Sequence, residues 1–218
     1  MNLTKLMKVG AGLVALSALL FATPSQAAQP AFNFTSATTQ ALSNFTVGYK
    51  FTIGSSDITL SQLGVFDKDG DGLLSAHDVG IWDSTGTTLL TSTTIASGTG
   101  ATLSGGNFRY NNIANLTLTA NTSYLIGATT GSDEWAYDNY TGLSIDPALT
   151  IDENRYSAGA TLIAPGTNNP AFPLFSGGNF MFSLGSGSSV PEPGTIALLF
   201  ASGFSSLGVV ARNRRIRK

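Results

Sequence analysis

The stretch FTVGYKFTI, residues 45–53, places an aromatic or aliphatic side chain at every second position, with Thr, Gly or Lys between them. A period of two residues is typical of a β-strand that has one buried face and one solvent-facing side. The apolar face carries Phe45, Val47, Tyr49, Phe51 and Ile53. The pattern therefore predicts a strand of an antiparallel sheet that packs this face against a core.

Similar short segments follow along the chain, separated by turn sequences rich in Gly, Ser, Asp and Asn. The further predicted strands are 58–66, 77–82, 88–95, 107–111, 114–119, 123–128 and 178–184. The region 130–169 has a weaker pattern, and we expect it to be less regular. A series of short strands with small turns predicts an all-β fold, either an antiparallel β-sandwich or a jelly roll. We assign this domain to residues 28–184.

The first 27 residues have the three parts of a secretory signal peptide. Lys5 and Lys8 form a basic start, residues 9–22 are apolar, and Ser25 and Ala27 supply small residues at the −3 and −1 positions. We predict cleavage after Ala27 and export of the remaining chain.

Without its two ends, the chain is acidic. Residues 28–189 hold twelve acidic and four basic residues, a net charge of −8, whereas the whole chain carries −2. Nucleic acid is excluded as a partner because phosphate recognition needs Lys and Arg. The chain has no cysteine, so the exported domain must be held by packing alone.

The C-terminus combines a short polar signature, an apolar span and a basic end. Residues 185–189 form a Gly/Ser linker, and the signature Val190-Pro191-Glu192-Pro193 follows it. Residues 195–211 carry no charge. As a helix they would extend for about 25 Å, which is at the short end of a membrane span. The basic end, with Arg212, Arg214 and Arg215, favours a cytoplasmic C-terminus.

This tail, residues 190–218, resembles the PEP-CTERM sorting signal of Gram-negative bacteria. The resemblance implies recognition by an exosortase, removal of the tail, and release of the mature form at the cell surface or outside the cell. It also implies the secretion machinery and, before processing, the inner membrane as partners. Cargo of this family commonly accompanies exopolysaccharide, which makes polysaccharide a further candidate partner. Residues 45–135 also look like an uncharacterised β-sandwich domain of exported bacterial proteins, which implies a fold and no activity.

The segment 67–78 nearly satisfies the spacing of an EF-hand calcium loop. Its candidate Ca²⁺ ligands are Asp67, Asp69, Asp71, the carbonyl of Leu73, Ser75 and Asp78. The last of them is an Asp where the loop normally has a longer Glu, and strands flank the segment where an EF-hand has helices. The alternative is a solvated hairpin loop in which Asp and Gly only form turns.

An aromatic and acidic cluster suggests a carbohydrate site, because aromatic rings stack on sugar rings while carboxylates bind hydroxyl groups. Its members are Trp135, Tyr137, Asp138, Tyr140 and Tyr156. The alternative is that these aromatic side chains cover one end of the sandwich as part of its core.

Catalysis finds little support in the sequence. His77 is the only histidine, no nucleophile-elbow motif is present, and the absence of cysteine argues against a standard zinc site. Paired carboxylates could serve glycoside hydrolysis, with Asp133, Glu134, Asp138, Asp152 and Glu153 available. We expect a structural or adhesive surface protein that is not an enzyme, with a carbohydrate-binding module as the alternative and an extracellular glycoside hydrolase as a lower one.

Overall fold

The computed structural model describes residues 27–185, which contain fifteen strands and no helix. Accordingly, this part of the chain has no helix that is long and apolar enough to cross a membrane. The predicted signal peptide, except for Ala27, and the linker and sorting tail, except for Gly185, lie outside the described residues.

In chain order, the strands are β1 Gln29–Pro30, β2 Phe32–Asn33, β3 Ser36–Gln40, β4 Phe45–Ile53, β5 Ile58–Phe66, β6 His77–Asp83, β7 Leu89–Ile95, β8 Thr102–Ser104, β9 Phe108–Leu118, β10 Ser123–Thr129, β11 Trp135–Thr141, β12 Ser144–Ile145, β13 Leu149–Ala158, β14 Thr167–Asn168 and β15 Gly178–Leu184.

Two large sheets enclose the core. One has the order β1-β15-β5-β9-β8, and the other has the order β14-β13-β4-β10-β6-β7. Two short pairs, β3 with β11 and β2 with β12, complete the fold, and every pairing is antiparallel. Side chains of the two sheets meet directly, since the ring centroids of Phe51 and Phe180 are 5.1 Å apart. The predicted all-β, antiparallel, sandwich-like fold is confirmed.

The inner face of β4 lies at the centre of the core. Tyr49, Phe51 and Ile53 are fully buried, whereas the alternate residues Lys50 and Thr52 are partly exposed. Burial of such large apolar side chains stabilises the fold by about 1.5–3 kcal/mol each. The predicted alternation therefore holds from Tyr49 to Ile53, whereas Thr46 is fully buried and Phe45 is only half-buried.

A row of glycines lets neighbouring strands of the six-stranded sheet approach closely. Gly127 of β10 pairs with Gly48 of β4 on one side and with Gly80 of β6 on the other. A Cβ atom at Gly48 would collide with the carbonyl oxygen of Ile126. Gly48, one of the small residues between the apolar positions of 45–53, is therefore required by packing.

The strand predictions for 45–53, 58–66 and 178–184 coincide with β4, β5 and β15. The segments 107–111 and 114–119 form one strand, β9, which is irregular opposite Leu60 and Gln62.

The expectation of less regular structure in 130–169 was wrong for β13, which pairs along the whole of β4. A register shift between Ile151 and Glu153 breaks the alternation of side chains and hid this strand from a search for a period of two.

Both ends of the described chain lie at one end of the sandwich. Gln29 pairs with Phe182, and Leu184 pairs with Ile58. The other end of β5, at Phe66, leads into the loop of residues 67–76, which we call the Asp-rich loop. The nine residues of β5 span about 30 Å, so this loop lies at the opposite end of the sandwich. We call the end that carries the chain termini the proximal end and the opposite one the distal end. The candidate site residues lie mainly at the distal end.

Candidate functional site

Asp67 begins the Asp-rich loop directly after β5, and its carboxylate is almost completely buried. The carboxylate accepts hydrogen bonds from the backbone N–H groups of Gly70 at 3.2 Å and Gly72 at 3.1 Å. These two glycines have φ values of 75° and 123°, which residues with a Cβ rarely adopt. The loop therefore folds around the carboxylate of Asp67.

Arg109 of β9 binds the same carboxylate from the core side. Its Nε donates to Oδ2 of Asp67 at 2.5 Å, and both side chains are 3% exposed. Its terminal nitrogens donate to the carbonyl oxygens of Gly70 at 2.8 Å, Ala101 at 3.1 Å and Thr99 at 3.2 Å. Arg109 thus neutralises Asp67 and ties the loop to residues 99–101.

Sequence reasoning missed the role of Arg109. The signal that could have found it was its position as one of four basic residues in an acidic domain, between Phe108 and Tyr110 of a predicted strand. A charge among aromatic residues indicates a buried partner, but the sequence did not identify Asp67 as that partner.

Asp69 and Asp71 are exposed beside this buried pair. Carboxylate oxygens of Asp67, Asp69 and Asp71 all lie within 4.8 Å of one another. The pKa of Asp71 is raised because its carboxyl group shares a hydrogen bond with Asp69 and is repelled by that charge. Carboxylate oxygens this close together are the ligands that a hard divalent cation prefers.

The other three predicted calcium ligands have different partners. The carbonyl of Leu73 accepts a hydrogen bond from the N–H of Gly98 at 2.7 Å. Ser75 donates to Asp133 at 3.0 Å, and Asp78 accepts from Thr94 at 2.6 Å. The structure brings together three of the six predicted ligands, and the loop does not wrap around a common centre as an EF-hand loop does.

The Asp-rich loop and residues 132–134 form the walls of an acidic cleft of about 250 Å³ at the distal end. Lys68 reaches across the cleft to an ion pair with Glu134. The lining residues are Asp67, Lys68, Asp69, Asp71, Gly72, Leu74, Ser132, Asp133 and Glu134. Five of the nine carry carboxylates, of which Asp67 and Glu134 form ion pairs with Arg109 and Lys68. The excess negative charge of the cleft therefore comes from Asp69, Asp71 and Asp133, and it favours cations.

His77 contacts both walls of the acidic cleft, through Ser75 of the Asp-rich loop and through Asp133. Its Nδ1 donates to the carbonyl of Thr129 at 2.7 Å, and its Nε2 is 2.8 Å from Oδ2 of Asp133. Ser75 approaches the same Nε2 at 3.2 Å. A catalytic Ser-His-Asp array places the serine and the carboxylate on opposite ring nitrogens, so this geometry does not activate Ser75.

Asp133 is the centre of this small network. Burial opposes its ionisation, but hydrogen bonds from His77, from the N–H groups of Leu74 and Ser75, and from the Ser75 hydroxyl outweigh burial and lower its pKa. Asp133 is therefore hydrogen-bonded to the side chain of His77 and to Leu74 and Ser75 of the Asp-rich loop. These hydrogen bonds join residues 129–133 to that loop.

Three of the predicted carbohydrate-site residues meet in an aromatic cluster beside the cleft. Trp135, Tyr137 and Tyr156 pack with Phe45, Val47, Phe172 and Phe175. Trp135 is only 6% exposed, and its ring lies edge-on to Phe175 with centroids 5.1 Å apart. A pocket of about 220 Å³ opens at this cluster, lined by Gln40, Leu42, Phe45, Val47, Trp135, Tyr156, Asn169, Phe172 and Phe175.

The other two predicted carbohydrate-site residues lie apart from this pocket. The ring of Tyr140 packs against Phe34 in the main core, and its hydroxyl donates to the carbonyl of Leu174 at 3.1 Å. Asp138 accepts a hydrogen bond from the N–H of Asn139 at 2.8 Å. The structure therefore divides the predicted set: Trp135, Tyr137 and Tyr156 lie in the aromatic cluster, whereas Tyr140 packs on the main core and Asp138 is part-exposed on β11.

The carboxylates considered for hydrolysis are also divided. Asp133 and Glu134 line the acidic cleft, and Asp138 lies on β11. Asp152 accepts a hydrogen bond from Thr52 on the outer face of the six-stranded sheet, and Glu153 pairs with Arg155.

Comparison with known protein families finds one match. Residues 189–215 match the family described as the PEP-CTERM protein-sorting motif. The match contains the signature Val190–Pro193, the apolar span and Arg212, Arg214 and Arg215, so the predicted sorting signal is confirmed. No curated protein matches the chain. The motif indicates an extracellular protein that is sorted by an exosortase, with C-terminal membrane anchoring before cleavage.

Proposed function

We propose that this exosortase-sorted chain, once processed, is a structural or adhesive component of an extracellular matrix that contains exopolysaccharide. The sorting motif carries the proposal, because it directs the protein to the place where such a matrix is assembled. The domain has the properties of a durable exported module. It is a sandwich with an extensive aromatic core and without cysteine.

The arrangement of the two ends supports a role in attachment. The chain enters and leaves the domain at the proximal end, next to the residues that lead to the sorting tail. The acidic cleft and the aromatic cluster lie at the distal end. A processed domain that is attached through its C-terminal end would thus present the cleft away from the point of attachment.

The packing of the aromatic cluster favours the structural role over carbohydrate binding. Sugar rings stack on exposed aromatic faces, whereas Trp135 is buried against Phe175, and Tyr137 packs edge-on to Phe172. The cluster therefore supports the interpretation that these residues form the distal part of the core.

Deletion of the gene tests the proposed role. We expect less matrix retained on the cells, and full recovery when the intact gene is supplied. A matched control supplies the signal peptide joined directly to residues 185–218, which occupies the sorting pathway without the domain and should fail to restore the matrix. Unchanged matrix retention after deletion, or recovery with the control alone, would reject the proposal.

We further propose that Asp67, Asp69 and Asp71 bind Ca²⁺ in the acidic cleft. The donor chemistry supports this, because three carboxylates lie within 4.8 Å of one another and Asp71 has a raised pKa. A bound cation would relieve the repulsion between Asp69 and Asp71 and bring the Asp-rich loop into a tighter contact with residues 132–134. The incomplete ligand set suggests weak binding, with a dissociation constant on the order of 10⁻⁴–10⁻³ M as in other extracellular sites.

Thermal unfolding of the processed protein, with and without calcium, tests this site. At calcium about tenfold above the dissociation constant, we expect the midpoint to rise by about 4 °C, because binding to the native state stabilises it. The double variant Asp69→Asn/Asp71→Asn should lose the shift, and the control Asp138→Asn, outside the cleft, should keep it. An equal shift in the double variant, or none in the unmodified protein at millimolar calcium, would contradict the proposal.

A further inference from the structure

The outer strand of the six-stranded sheet, β7, is an open edge. Its sequence LLTSTTI contains no charge, proline or glycine. The other outer strands of the two large sheets are short. β14 and β1 have two residues each, β1 includes Pro30, and β8 has three residues. Within residues 27–185, β7 is the longest strand at the edge of a large sheet.

The hydrogen bonds of β6 show which backbone groups of β7 point outward. The N–H of Asp78 donates to the side-chain hydroxyl of Thr129 at 2.9 Å, and its carbonyl accepts from the same hydroxyl at 3.4 Å, so the peptide groups of Asp78 face β10 and not β7. Thr94 lies opposite Asp78, and in an antiparallel pair of this kind it turns its own peptide groups away from β6. Ser92, two residues earlier and opposite Gly80, points the same way. The carbonyl of Thr94 accepts a hydrogen bond from the side chain of Asn111 at 2.8 Å, which agrees with this direction.

The outward edge is accessible to another strand. Leu89 and Leu90 are 47% and 38% exposed, and Ser92 and Thr94 are exposed as well. Apart from the contact of Asn111 with Thr94, no hydrogen bond from any residue in 27–185 occupies the outward groups of Ser92 and Thr94. Exposed edges of natural sheets are normally protected by charge, proline or a bulge. β7 has neither charge nor proline, and its one bulge, at Leu90, lies before residues 91–95, which pair regularly with β6.

The distribution of charge over the domain limits which molecules can approach the outer edge of β7. The residues between 28 and 189 carry a net charge of −8, so two copies of the domain repel each other in most orientations. The segment 84–108, which contains β7 and β8, has no charged residue. When two copies meet through this segment, neither copy places a charged side chain of the segment against the other. The chemistry of the edge therefore fits a second copy of the same chain.

We propose that two processed copies pair through their β7 strands in antiparallel orientation, with the two-fold axis near Ser92. An antiparallel edge is complementary to itself, because each outward N–H then faces an outward carbonyl of the other copy. The two six-stranded sheets become one continuous sheet. Since the other edges are short, the pairing closes as a dimer and does not continue into a filament. This inference goes beyond the proposed matrix role and is independent of the calcium site.

Sedimentation velocity of the processed protein tests the pairing over concentrations from about 1 to 500 μM, chosen to span weak association. We expect a concentration-dependent shift from monomer to dimer. Ser92→Pro removes an outward N–H that makes no hydrogen bond to β6. Edge strands accept proline at such positions, so the variant should still fold. We expect its dimer to be at least about tenfold weaker, because the hydrogen bonds at the two-fold axis are lost.

A second variant and a control keep the test independent of folding. Ser92→Lys places a charge at the edge and should weaken the dimer in the same way, while Thr161→Lys adds that charge in the loop after β13 and should leave it intact. Slower amide exchange at Ser92 and Thr94 as the dimer forms would identify the surface. A protein that stays monomeric throughout, or an unchanged dimer in folded Ser92→Lys, would overturn the proposal. Growth into open polymers would overturn its closed form.

Discussion

Replacing Arg109 with Met is expected to lower the free energy of unfolding by about 3–5 kcal/mol, because it leaves a buried carboxylate without its partner. The side chains of Arg109 and Asp67 are each 3% exposed, and Arg109 also donates to three carbonyl groups. Met has a similar length and fills much of the space, so the loss reports mainly on charge and hydrogen bonding. Unfolding by denaturant, followed by fluorescence of the two tryptophans, measures the change.

The matched control for Arg109 is Lys68→Met in the same loop. Lys68 pairs with Glu134 at the surface, where its side chain is 51% exposed, so its loss should cost less than about 1 kcal/mol. Adding Asp67→Asn to Arg109→Met should recover part of the stability, because the unpaired negative charge is then removed. A loss from Arg109→Met no larger than that from Lys68→Met would mean that the buried pair does not hold the loop.

Changing Pro191, Glu192 and Pro193 together to Ala is expected to abolish processing of the tail. The family match rests on this signature together with the span and the basic end, and the chain should then remain in the membrane as an uncleaved precursor. Immunoblots of membrane and extracellular fractions measure the two forms. We expect the extracellular form to fall to background.

The control for the sorting variant changes Ser186 and Ser188 to Ala, in the linker just before the matched residues. It should be processed like the unmodified protein, because it leaves the signature intact. Normal release of the triple variant would show that the signature is not needed for sorting. Accumulation of the linker variant would show that the recognised segment begins earlier than the matched residues.

Much of the fold was predictable from local patterns, and the two long strands that were missed or divided, β13 and β9, have a common cause. Residues 45–53 and 178–184 alternate without interruption, so their strands were found with the correct bounds. The strand β13 was missed because a register shift changes the face of its side chains after Ile151. Segment 107–119 was divided in two for the same reason, since β9 is irregular opposite β5. A bulge can hide a strand from a search for a period of two, although β5 was found with its correct bounds despite the irregularity between Leu60 and Gln62.

The candidate site was predictable only in part. The spacing of Asp67, Asp69 and Asp71 in one short loop was enough to predict that their carboxylates meet, and calcium binding stays a prediction. Arg109 reaches Asp67 across 42 positions of the chain, and Asp133 reaches His77 across 56. Such partners depend on which strands pair, and no spacing along the sequence contains that information.

By itself, the sequence determined the destination of this protein and the class of its fold. A sorting signal is recognised as a contiguous peptide, and strand alternation is a local property of the chain, so both can be read residue by residue. Only the tertiary structure decided that Arg109 neutralises Asp67, that Asp133 is bound to His77, that Trp135 is buried, and that β7 is left at an edge. These features depend on the order of strands in the sheets, which is set by the packing of the whole core.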